Sequence, residues 1–130
     1  MKFKFLIAAS IIVASFTACK DDDDTTDKNA PVVTITSPTE GESVSGEVHI
    51  MFSVTDESLH ELLVTVTEDA TGDTLYMPTE DPEVHDLTSY DFHDHFTPTV
   101  AAETNVTLNI LAEDHSDNAT TKTLKFKVKP

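Results

Sequence analysis

The sequence predicts an all-β fold, one antiparallel sandwich, and three observations predict it. From about residue 30 onward apolar and polar residues alternate with period two, and no long stretch shows the three-and-four spacing of an amphipathic helix. The alternating segments are rich in Val, Ile, Thr and Phe, the residues that fit a pleated, half-buried surface. Clusters of Gly, Pro, Asp and Asn punctuate them, so that about seven short strands fit into roughly 100 residues.

Each element follows from its own alternation. A first strand around Val33 and Ile35 ends in the turn residues Ser37 to Gly41. Val48, Ile50, Phe52 and Val54 then alternate with His49, Met51, Ser53 and Thr55, and Leu62, Val64 and Val66 alternate with Leu63, Thr65 and Thr67. A short strand runs near Thr74 to Met77, and another carries Tyr90, Phe92 and Phe96. Val106, Leu108, Ile110 and Ala112 mark the next, followed by a turn at Asp114 to Asn118. In the last strand Leu124, Phe126 and Val128 share one face and Lys125, Lys127 and Lys129 the other, so one side must lie on a core and the other in water.

The segments APVVTITSP (residues 30–38) and AEDHSDN (residues 112–118), the latter followed by an alternating final strand, resemble the opening and closing segments of bacterial immunoglobulin-like and fibronectin-like modules. The resemblance covers residues 30–130 and implies a single immunoglobulin-like β-sandwich there.

Ahead of this domain the chain reads as an export signal. Lys2 and Lys4 precede an apolar run from Phe5 to Ala14, and small residues precede Cys19, giving the charged, apolar, small-residue order of a cleaved leader over residues 1–18. The run is shorter than the ~20 apolar residues a membrane span requires, and it stops at a lysine and four aspartates. Phe16-Thr17-Ala18-Cys19 resembles the lipobox of bacterial lipoproteins, with Phe16 where leucine is usual. The resemblance implies that Cys19, the only cysteine, is lipidated and anchors the chain to a membrane. The acidic block Asp21 to Asp24 lies in a solvated tether over residues 19–29. In that position it resembles the surface-export signal of Bacteroidota lipoproteins, implying display on the outer face of the outer membrane. The whole layout resembles a family of small Bacteroidota lipoproteins of unassigned function, rich in histidine.

Charge narrows the partners. With residues 1–18 removed, all 24 acidic residues remain against six lysines and no arginine, a net charge of −18. Nucleic acid is excluded on this ground, because its binding depends on Lys and Arg displacing counterions. Repulsion between copies favours a monomer, and the field attracts cations.

Six histidines are more than a domain of this size needs for packing. His93-Asp94-His95 places two imidazoles on one strand face, about 7 Å apart along the strand. If the strands take the usual immunoglobulin-like order, the strand of His49 lies beside that of His93, in the same sheet. His49 points away from the apolar set Val48, Ile50 and Phe52, so His49, His93 and His95 share a solvent-facing patch with Asp91. Neutral imidazoles so grouped suit zinc or copper. His60, His85 and His115 fall at a strand start and in loops, where the sequence does not fix their reach. Calcium is the second cation considered, through Asp56-Glu57 and Asp114 to Asp117, although grouped acids at turns also serve turn geometry alone.

The chain carries no nucleophile elbow, no phosphate-cradling glycine loop and no zincin helix, and it has only three glycines. The expectation is therefore a non-catalytic binding or accessory module on the cell surface, handling a metal beside an outer-membrane protein partner. The alternatives are adhesion or glycan binding, which the absence of Trp and the presence of only two Tyr disfavour, and a purely structural envelope role.

Overall fold

In the computed structural model the alternating segments become eight strands. They are β1 (Val32–Ser37), β2 (Ser43–Ser45), β3 (Val48–Thr55), β4 (Leu59–Glu68), β5 (Thr74–Tyr76), β6 (Ser89–Phe96), β7 (Thr104–Asp114) and β8 (Ala119–Lys129). The structure describes residues 26–130, so the expected leader, Cys19 and the aspartate block lie outside the described residues. Among the described residues no helix is long and apolar enough to cross a membrane.

The strands form two sheets, β1-β3-β6 and β2-β8-β7-β4-β5. This is an all-β sandwich with the immunoglobulin-like distribution of strands, in which consecutive elements cross between sheets. One strand, β2, is additional to the seven read from the sequence. Three residues are too few to show alternation, and β2 pairs with β8 in parallel while the other pairs are antiparallel. It is reached where β1 bulges between Ile35 and Ser37 and leaves the first sheet through a cis Ser37–Pro38 peptide. Gly46, at φ +77°, then turns the chain back into β3 in a left-handed conformation that glycine adopts without steric cost.

The inward faces follow the alternation. Val48, Ile50, Phe52 and Val54 from β3 meet Leu62, Val64 and Val66 from β4, Val106, Leu108, Ile110 and Ala112 from β7, and Phe126 and Val128 from β8, all buried. Phe52 and Phe92 stand opposite each other in the β3–β6 register and stack at 4.8 Å between ring centroids. Burying each such side chain contributes roughly 1.5–3 kcal/mol relative to leaving it in water, which is why the pattern fixes the fold. Leu124 of the last strand is only half-buried.

Two contacts beyond the strand pattern hold the sheets together at one side. Tyr76 on β5 stacks on Phe96 of β6 at 4.8 Å, and its hydroxyl donates to Asp94 Oδ2. The connection from β5 to β6 is anchored by Val84, which is buried in the core. At the domain entrance the Asn118 side-chain amide donates to the Asp27 carbonyl at 3.0 Å, so the end of the expected tether is fastened to the β7–β8 turn.

Candidate functional site

The antiparallel register of β3 and β6 brings the sequence-predicted histidines together. His49 lies directly opposite His95, and Met51 directly opposite His93. All four are exposed and alternate with buried or half-buried residues, so their side chains stand on the outer face of the three-stranded sheet. The His49 ring lies 5.7 Å from that of His93 and 5.6 Å from that of His95, centroid to centroid. His49 Nδ1 and His93 Nε2 are 3.4 Å apart, a hydrogen-bond contact between the two rings. Two nitrogens on one zinc ion, each at about 2.0–2.1 Å and at a tetrahedral angle, stand about 3.3 Å apart, so this pair already has ligand spacing.

A carboxylate that the sequence does not point to lies beside two of the rings. Glu47, in the turn before β3, places Oε1 3.1 Å from His49 Nε2 and Oε2 3.8 Å from His95 Nε2. The nitrogen of His49 that faces Glu47 is the one turned away from His93. A carboxylate on the far nitrogen is the arrangement that fixes tautomer and ring angle in metal-bound histidines. Asp91, the acid expected in this patch, lies opposite Ser53 on the same face two residues from His93, with which it lines an acidic groove that also takes in Glu80, Asp81 and Glu83. Asp94 itself points inward. The Tyr76 hydroxyl, opposed by partial burial and helped by the His95 backbone N–H, holds its carboxyl below the usual carboxylate range.

A second histidine group was not legible in the sequence. His60, at the start of β4, His85, in the β5–β6 connection, and His115, in the β7–β8 turn, each offer a ring nitrogen, and the three nitrogens lie within 4.8 Å of one another. Ring centroids are 5.4 Å apart for His60 and His85, 4.7 Å for His60 and His115, and 4.5 Å for His85 and His115. Asp86 bridges two of them, with Oδ2 3.1 Å from His85 Nδ1 and Oδ1 3.0 Å from His115 Nε2. All six histidines of the chain thus fall into two triads, each with one carboxylate shared between two rings.

The acids considered for calcium also approach one another. Asp56 and Asp114 lie with Asp27 so that one oxygen of each is within 4.8 Å of the others. Their oxygens serve the turns: Asp56 Oδ1 accepts from the Ser58 N–H, and the buried Asp114 accepts from the Ser116 and Asn118 N–H groups and from the Asn118 amide. This is turn architecture.

No protein-family model matches the sequence, and no curated protein does. Among solved structures the chain is similar to an engineered protein at a TM-score of 0.49, with 18% identity over 77% of this chain. It spans only 20% of that protein's length. It is also similar to CopC from Methylosinus trichosporium OB3b at a TM-score of 0.46, with 10% identity, covering 76% of this chain and 95% of that one. Likenesses at this level do not bear on what the chain binds.

Proposed function

We propose that the chain is a non-catalytic accessory module, lipid-anchored through Cys19 on the outer face of the outer membrane, which captures a transition metal on its exposed three-stranded sheet. The observation that carries this reading is the 3.4 Å separation of His49 Nδ1 and His93 Nε2, with Glu47 behind His49. His95, opposite His49 with its ring 5.6 Å away, is the third imidazole assigned to the set. Met51, opposite His93 on the same face, adds a thioether, a soft donor that suits copper better than zinc. That donor makes copper the metal assigned to this face. Half-exposed rings on an open sheet leave coordination positions to water, which suits a metal that is to be handed on to a membrane partner.

The test uses the full chain, purified in detergent without a histidine tag and titrated with copper(II) and zinc(II) by calorimetry. Micromolar or tighter copper binding that weakens at least tenfold in His49→Ala and His93→Ala supports the site. Binding unchanged in both variants, or no heat at all, overturns it. The anchor is tested separately: Cys19→Ser should move the chain from the membrane fraction to the soluble fraction, and an unprocessed chain in the cytosol would end the surface reading.

A further inference from the structure

We propose that His60, His85 and His115 form a second metal site, a three-imidazole cage for zinc(II) that clasps the β5–β6 connection to one end of the sandwich. It lies far from the sheet-face histidines. His49 is near the start of β3 and this cage is near its far end, about 20 Å along the strand at ~3.4 Å per residue. The two sites therefore load independently.

Backbone bonds preset the cage. Leu59 N–H donates to the Leu87 carbonyl and Asp86 N–H to the Leu59 carbonyl, both at 2.8 Å, which fixes His85 and Asp86 beside His60. The His115 N–H donates to the Ser58 carbonyl at 3.1 Å and draws the β7–β8 turn onto the same spot. Val84, only 1% exposed, pins the connection immediately before His85. No apolar packing explains the histidines, whose rings gather at an exposed end of the domain.

Asp86 carries the second argument. Among the described residues it is one of two non-glycine residues with positive φ, at +65°, a conformation that Asp tolerates at some cost. That conformation accompanies a carboxylate shared between His85 Nδ1 and His115 Nε2. Both contacted nitrogens are thereby engaged, so His85 Nε2 and His115 Nδ1 are the nitrogens left to ligate a cation, with the carboxylate in the orienting role it has in zinc sites. Three protonated rings at these separations would repel one another, whereas three neutral rings around one cation are held together. One nitrogen of each ring already lies within 4.8 Å of the other two, against about 3.3 Å on tetrahedral zinc, a gap that rotation of exposed side chains can close. All donors are imidazoles, with no thioether beside them, a neutral-nitrogen set of the kind that holds zinc.

The experiment uses the full chain carrying His49→Ala and His93→Ala, so that only the cage remains. Zinc titration should then show one equivalent bound at micromolar affinity, abolished by adding His60→Ala and His115→Ala. Asp86→Asn keeps a residue that tolerates positive φ and should weaken zinc about tenfold. Zinc should also slow hydrogen exchange and proteolysis across residues 77–88, a readout that surface adsorption would not move. The proposal is overturned if the sheet-face double variant binds no zinc, or if its bound equivalent survives loss of His60 and His115. Failure of copper binding at His49 and His93 alone would sink the proposed function and leave the cage standing.

Discussion

Replacing Asp114 by alanine should destabilise the domain by about 3 kcal/mol. The carboxylate is 2% exposed and accepts three N–H bonds, from Ser116 N at 2.7 Å, Asn118 N at 2.8 Å and Asn118 Nδ2 at 2.7 Å. Desolvation of the buried carboxylate works against its charged form, but the Asn118 side chain and the two backbone donors outweigh it, so the group is held below the usual carboxylate range. A hydrogen bond to a charged group contributes roughly 1.5–3 kcal/mol, and removing the acceptor leaves each donor wanting a partner. The full sum for three is not reached, because the truncated turn can admit water and the desolvation cost of the charge disappears. A net loss near 3 kcal/mol lowers the melting temperature of a domain this size by about 10 °C or more. Urea denaturation followed by circular dichroism measures it directly. Asn118→Ala, which removes the amide that donates to both Asp114 and the Asp27 carbonyl and keeps the carboxylate, should cost about 1–2 kcal/mol. A loss below about 0.5 kcal/mol for Asp114→Ala would refute the view that this turn is held by its carboxylate.

Other outcomes are expected from the same structure. Phe126→Ala, at a position 2% exposed in the core, should cost roughly 3–5 kcal/mol in the same denaturation assay. Tyr76→Phe removes the hydroxyl that bridges the sheets to Asp94 and should cost about 1–2 kcal/mol while leaving the Phe96 stacking intact. Asp69 is held below its ordinary value by Lys125 and Thr107, so its contribution is present above the unfolded carboxylate value and is lost as pH falls through the lowered folded one. Asp69→Asn should therefore flatten the stability profile on the acid side, by no more than about 1 kcal/mol for so exposed a pair, and acid denaturation curves of the two proteins give the comparison.

The sequence alone determined the fold and one histidine face, because both depend on a local period. Alternation of Val48, Ile50, Phe52 and Val54 with His49 and Met51 dictates which side chains meet water, whatever the rest of the chain does. The adjacency of β3 and β6 needed one further assumption, the strand order, and the observed register places His49 against His95. Glu47, by contrast, lies in a turn with no period to read, and only the path of the chain through Gly46 brings it under the rings. The grouping of His60, His85 and His115 was decided wholly by tertiary structure. Its members come from a strand start, a long connection and a hairpin turn, and they meet through backbone bonds from Leu59 and His115 that leave no mark on composition or spacing. Periodicity records which face of a strand is buried; it does not record where a connection without a strand comes to rest.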